Sequence, residues 1–297
     1  MDALLSIALL AVALATPYWY PRWTLKRALA RPLPETAVRT LRAYIPVHEK
    51  LTPELRQQLH RLVAQFLHQK KFVGCAGLEV TDEMRVAIAG LACMLLLNRP
   101  TKVYRPLHTI LLYPGAFAAP RQDIGPGGIV TDVRQTMLGE SWTDGRVVLS
   151  WDDVARGAVE WSSGHNVALH EFAHQLDSES GTTNGAPYLG SAENYRSWSA
   201  VLSRDFAHLR HEAWTGNPDS VLDHYGATSP ADFFAVATEA FFGKPWQLRE
   251  RHPALFEELH KYYRVDPRDW QDAPVPELPE APPPALPSNR SFAWASW

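Results

Sequence analysis

Apolar positions recur along the chain in patterns that change from segment to segment, and each pattern predicts an element. Residues 3–15 are almost wholly apolar. From Thr52-Pro53-Glu54 onward, Leu55, Leu59, Leu62, Val63 and Phe66 recur at helical spacing behind a capping threonine, a first-turn proline and an acid, which predicts a helix that buries one stripe. A second helix is expected from Thr81-Asp82-Glu83. Met84, Val86, Ile88, Ala89 and the run 92–97 make it apolar on nearly every side, so it belongs in the centre of the core. Short β-type runs follow at 109–113, 128–130 and 146–151, the last preceded by a turn at Thr143-Asp144-Gly145, and together they predict a small sheet.

The next helix starts behind Asn166 as N-cap and stops near Ser180-Gly181, with Leu169, Phe172, Ala173 and Leu176 as its apolar stripe. Residues 182–189 carry glycine, proline and asparagine at loop density. A helix over 192–212 buries Trp198, Val201, Leu202, Phe206 and Leu209, and another starts at Ser229-Pro230 with Phe233, Ala237, Ala240 and Phe241 on one face. Beyond Arg264 the chain turns proline-rich and cannot bury enough surface to order itself. These elements predict an α+β fold, mostly helical with a small β-sheet. The expected organisation is an N-terminal apolar segment (1–25), one main domain (26–272) and a proline-rich tail (273–297).

At 297 residues and 46% apolar content the chain can bury a substantial core. A net charge of −3 without a long basic run excludes a nucleic-acid binder that works by neutralising phosphates, so no direct nucleic-acid partner is expected. Cys75 and Cys93 lie in apolar surroundings without zinc-ligand spacing and read as buried thiols in a reducing compartment. There is no solenoid-length repeat, phosphate loop or dinucleotide fingerprint. Counted on to Tyr20, the first apolar run approaches the lower limit of a membrane span, with Trp19, Tyr20 and Trp23 at the interface and Arg22, Lys26, Arg27 and Arg31 beyond them. That asymmetry predicts a cytoplasmic body tethered to the inner membrane. A signal peptide cleaved after Ala13-Leu14-Ala15 is the rival, weakened by the lack of a basic residue ahead of the run; a tucked-in hydrophobic helix is the third reading.

Candidate chemistry lies in His170-Glu171-Phe172-Ala173-His174. Two histidines four apart on a helix sit on one face, about 6 Å apart along the axis, so both imidazoles can reach one metal ion, with the intervening glutamate as general base. His170, His174 and Asp177 share a face well off the apolar stripe. A hydrolytic zinc takes three protein ligands and leaves one position open, so a third group must come from elsewhere. Asp177, Asp232 and Glu239 are the candidates. Asp177, one turn beyond His174, suits an acceptor that orients an imidazole. Asp232 has a second role open to it, because Ser229-x-x-Asp232 has capping-box spacing. Asp232 and Glu239, seven apart, share a helix face distinct from the aromatic one.

The stretch from His170 to Asp177, with Tyr225 and Pro230-Ala231-Asp232-Phe233-Phe234-Ala235-Val236, resembles the Mlc titration factor A family of zinc-dependent peptidases. The likeness runs over roughly 72–246 and takes in Gly77-Leu78-Glu79-Val80 and Gly139-Glu140-Ser141-Trp142, more than half the chain in ordered segments. It implies a zincin-like domain in which Zn2+ is held by His170, His174 and an acid seven residues after a tyrosine, which here is Asp232 after Tyr225. The family acid is usually glutamate, so the shorter aspartate requires its helix to approach the metal more closely, or Glu239 to substitute. The implied reaction is hydrolysis of a peptide or protein substrate, with Glu171 moving the proton of a zinc-activated water and Tyr225 donating to the oxyanion. The strand at 146–151 is a candidate for binding extended substrate along its edge. The family name also implies a second class of function, a non-catalytic zinc-containing protein that sequesters a transcriptional repressor. The intact Glu171 favours catalysis, because a structural site needs no general base.

Overall fold

The computed structural model describes residues 2–100, 103–124, 130–137, 139–142 and 145–274. Helix α1 (Asp2–Leu29) contains Pro17 and Pro21, and the apolar side chains described in its first half are exposed, Leu5 and Ile7 at 64% and Leu14 at 72%, whereas Leu25, Ala28 and Leu29 at its end are partly buried. The tucked-in reading therefore fails for the exposed side chains. Among the described residues no helix is long and apolar enough to cross a membrane, so the expected span is not supported. Helix α2 (Glu35–Tyr44) lays Ala37, Val38 and Leu41 into the core. Helix α3 (Pro53–Gln69) starts as expected, with Thr52 Oγ1 accepting the Leu55 N–H at 3.3 Å.

Strand β1 (Lys71–Gly74) leads to α4 (Asp82–Met94), capped by Thr81 and buried at every residue from Val86 to Met94. It stops three residues short of the apolar run's end at 97, and the Tyr104 hydroxyl donates to the Ala92 carbonyl at 2.7 Å, satisfying one acceptor of its last turn. The chain continues through β2 (Thr109–Tyr113), β3 (Phe117–Ile124), β4 (Val130–Met137), β5 (Gly139–Trp142) and β6 (Arg146–Ser150). The main sheet has the order β1-β2-β6-β5, with β1, β2 and β6 parallel and β5 antiparallel to β6. Ile110 pairs with Val147 and Leu112 with Leu149, so one face presents fully buried aliphatics to the helices.

The pattern differs from expectation in this region. Strands β3 and β4 form a separate antiparallel hairpin, Phe117 opposite Met137. The run expected at 128–130 meets the structure only at Val130, the start of β4, since 125–129 lie outside the described residues, as do Thr143 and Asp144 of the expected turn. The strand at 146–151 ends at Ser150, whose hydroxyl accepts the Asp153 N–H at 3.4 Å and starts α5 (Trp151–Val159). It also lies inside the sheet, between β2 and β5, so it has no free edge for a peptide; the sheet edge on that side is β5. Cys93 is buried, whereas Cys75 is only half-buried, which corrects its expected burial.

Helix α6 (Val167–Ser178) follows, then α7 (Ala192–Thr215), α8 (Pro230–Gly243), α9 (Pro245–Arg251) and α10 (Pro253–Tyr263). The chain stays on the body past Arg264, since the turn Pro267–Trp270 buries Trp270. Most of the expected tail, 275–297, lies outside the described residues. Phe172 of α6 packs edge-on against Phe66 of α3, ring centroids 5.7 Å apart, and tilts against Tyr104 at 5.0 Å. Burying a ring of this size stabilises by about 1.5–3 kcal/mol, and doing so on one side of α6 fixes which side is left for polar groups.

Candidate metal centre

Asn166 caps α6, its Oδ1 accepting the Leu169 N–H at 3.0 Å. With Leu169, Phe172, Ala173 and Leu176 buried on one face, His170 and His174 share a neighbouring face about a third of a turn away. Their Nε2 atoms approach to 3.2 Å, with the rings nearly perpendicular. Glu171 is buried on the same helix.

The third group arrives from α8. Ser229 caps that helix, its Oγ accepting the Asp232 N–H at 3.1 Å while its hydroxyl donates to Asp232 Oδ2 at 2.6 Å. This leaves Oδ1 facing the histidines, 3.6 Å from His174 Nε2 and 4.0 Å from His170 Nε2. Asp232 thus takes both roles the sequence offered it, cap acid and member of the cluster. Burial pushes its carboxyl up, but hydrogen bonds from the His174 and Ser229 sides and the nearby imidazole charges hold it below the usual carboxylate range.

Glu239, two turns further along α8, lies behind the cluster. Its Oε1 is 2.6 Å from His170 Nδ1 and its Oε2 accepts the Asn166 N–H at 2.6 Å. One carboxylate therefore ties α8 both to the start of α6 and to the ring nitrogen that faces away from His174. Burial opposes a charge on His170, yet the Glu239 carboxylate, with Glu171 and Asp232, pushes its pKa up to about 9. The same negative field favours a bound cation. Asp177, a candidate for orienting an imidazole, is instead taken by the loop, its Oδ2 accepting the Gly185 N–H at 2.6 Å.

Two further contacts fix the surroundings. Gly185 has φ +78°, its carbonyl accepts the Trp198 indole N–H at 2.8 Å, and a Cβ there would lie 2.3 Å from the Pro230 carbonyl oxygen. The loop thus presses on the start of α8, two residues before Asp232. Tyr225 lies in the short 3-10 turn His224–Ala227, half-exposed, with its ring 5.7 Å from that of His170. A Cβ on Gly226 would be 3.1 Å from Val236 Cβ, so a glycine lets this turn sit against α8.

His170, His174 and Asp232 are the described residues whose donor atoms converge for a metal, all within 4.8 Å of one another. Ligand atoms about 2.0–2.1 Å from a tetrahedral zinc are about 3.3 Å apart, and the separations of 3.2, 3.6 and 4.0 Å bracket that spacing. The donor set therefore fits a divalent metal. Of the sequence candidates for third ligand, Asp232 comes to the imidazole nitrogens and Glu239 to the far side of His170.

A mostly helical α+β fold that aims two histidines of one helix and an acid of a later one at a common point defines a candidate metal centre. More narrowly, the chain belongs to the glucose-regulated metallo-peptidase M90 family, whose model matches residues 20–264. It is 39% identical to the uncharacterized protein slr2042 of Synechocystis sp. over 263 residues, 88% of this chain and 94% of that protein. It is 34% identical to Mlc titration factor A of Klebsiella pneumoniae over 225 residues, 75% of this chain and 84% of the relative. The Yersinia pestis protein of the same name is 30% identical over 246 residues, 81% and 88% of the two chains.

Proposed function

We propose that the protein is a zinc-dependent peptidase whose ion is held by His170, His174 and Asp232 and whose general base is Glu171. The observation that carries this reading is the convergence of two imidazole nitrogens and one carboxylate oxygen, with a buried glutamate adjacent to the first histidine. Bound zinc would supply Lewis acidity, activating water near neutral pH and polarising a peptide carbonyl. Glu171 would accept the proton of the attacking water and return it to the leaving amine. Glu239 would hold the His170 ring in register and keep its Nδ1 protonated, so that Nε2 faces the ion. Tyr225, beside His170 and half-exposed, would donate its hydroxyl to the developing oxyanion. Strand β5, at the sheet edge, is the strand along which an extended peptide would lie.

The test is Glu171→Gln. It preserves size and ligands, so zinc content should stay at one per chain while peptide turnover falls about 10²- to 10⁴-fold. Turnover equal to wild type would refute the mechanism, and a wild-type protein that takes up no zinc when supplied with it would refute the site.

A second reading rests on the name of the relatives, Mlc titration factor A. In it the protein sequesters a transcriptional repressor, with or without cleavage. A Glu171→Gln protein that still binds such a repressor would separate the two. The reading places the body in the cytoplasm, and the exposed Leu5, Leu9, Leu10 and Leu14 of α1 support a hold on the inner membrane without a span. Cell fractionation that leaves the full chain wholly in the soluble fraction would refute that hold.

A further inference from the structure

A cavity of about 240 Å³, separate from the histidine cluster, opens between the end of α6, the loop at 188–190, the first turns of α7 and the end of α10. Its chemistry is two-signed. Arg99, partly buried, lines it, its guanidinium lying 4.2 Å over the Tyr262 ring. Glu179 lines the same cavity; burial raises its carboxyl pKa, and the Arg99 charge only partly offsets that. Glu258, also on the wall, is already satisfied by the Ser197 hydroxyl at 2.7 Å and Lys261 Nζ at 2.8 Å. Arg264 lines it as well, so the charges not already paired are those of Arg99, Arg264 and Glu179, and Trp198 and Tyr262 add an aromatic wall, their ring centroids 5.5 Å apart.

We propose that this cavity binds a small zwitterion, an α-amino acid with an apolar side chain. Its carboxylate would pair with Arg99, its ammonium with Glu179, and its side chain would lie against Trp198 and Tyr262. The size agrees, since 240 Å³ is below the roughly 300–1,000 Å³ of drug-sized sites and suits a single amino acid. The charges agree as well, because a guanidinium takes a carboxylate in two parallel hydrogen bonds while a half-buried carboxylate gains most from an ammonium. The site uses none of His170, Glu171, His174 or Asp232, so it stands or falls independently of the peptidase reading.

Calorimetric titration of the full chain with L-phenylalanine, 3-phenylpropionate and phenethylamine tests it. Saturable binding of L-phenylalanine is expected, at least tenfold tighter than either one-charge analogue. Arg99→Gln should weaken L-phenylalanine at least tenfold. Glu179→Gln should bring it down to the level of 3-phenylpropionate. Should Arg99→Gln fail to fold, as judged by its melting curve, Glu179→Gln still decides. No saturation by L-phenylalanine at millimolar concentration, 3-phenylpropionate binding as tightly as the amino acid, or a folded Glu179→Gln protein that binds like wild type would each overturn the proposal.

Discussion

Replacing Glu239 by glutamine tests how the two site helices are coupled. The carboxylate accepts from two donors, His170 Nδ1 and the Asn166 backbone N–H, each at 2.6 Å, in a setting only 6% exposed. Glutamine keeps the shape but offers one acceptor oxygen and one donor amide, so one of the two donors must face another donor. If the oxygen stays on His170, the Asn166 N–H at the mouth of α6 is orphaned; if it turns to Asn166, the imidazole loses the group that fixes its tautomer. Leaving one such group buried and unpaired costs about 1–3 kcal/mol. In a domain of this size that is a fall of about 2–12 °C in melting temperature. Zinc affinity, read by competition with a chromophoric chelator, should fall about 10- to 100-fold, the usual cost of losing the partner behind a ligating histidine, while saturating zinc still gives one ion per chain. Zinc affinity unchanged from wild type would refute the orienting role. A Glu239→Gln protein that cannot be loaded, beside an Asp232→Ala protein that can, would exchange the parts assigned to the two acids.

Three further outcomes follow from the geometry. Gly185→Ala combines a φ of +78° with a Cβ 2.3 Å from the Pro230 carbonyl, so it should lower stability by about 1–3 kcal/mol and weaken zinc through the displaced start of α8; a melting curve and chelator competition identical to wild type would refute this. Tyr225→Phe should keep zinc and lower peptide turnover about 10²- to 10³-fold, and an unchanged rate would remove the tyrosine from the reaction. Lys70 donates to the Tyr104 and Leu107 carbonyls at 2.6 and 2.8 Å, and burial lowers its pKa from 10.5 to about 8. Over that window the unfolded chain binds more protons than the folded one, so this group makes stability rise as pH climbs from about 8 to 10.5. Urea titrations should show the rise in wild type and lose it in Lys70→Met; parallel curves would refute the assignment.

Local rules fixed a good part of what is seen. Thr52, Asn166 and Ser229 each cap the helix they were expected to cap, and Thr81 caps the helix expected to begin there, because a short polar side chain meeting a free N–H is a contact between neighbours in sequence. The histidine helix was legible for the same reason, its period separating Phe172 from His170 and His174. Strands β1, β3 and β5 carried too little alternation to be read, and β6 was read one residue long because Trp151 suits a strand as well as a helix until the Ser150 cap decides.

By itself the sequence determined the mostly helical α+β class, the helix carrying both histidines and the short list of acids that could join them. Only the tertiary structure distributed those acids. Asp232 and Glu239 lie on one face of one helix, seven residues apart, and periodicity treats them alike; the way α8 crosses α6 brings the first to the Nε2 atoms and the second to Nδ1 of His170. Asp177 shares a helical face with the histidines, yet the way the loop after the helix folds back gives it to the Gly185 N–H, eight residues on. The paired charges of the second cavity, Arg99 after α4 and Glu179 after α6, come from segments eighty residues apart in number and carry no local signal. Spacing along a chain specifies which side chains share a face, whereas what that face meets is set by long-range packing, which no local period encodes.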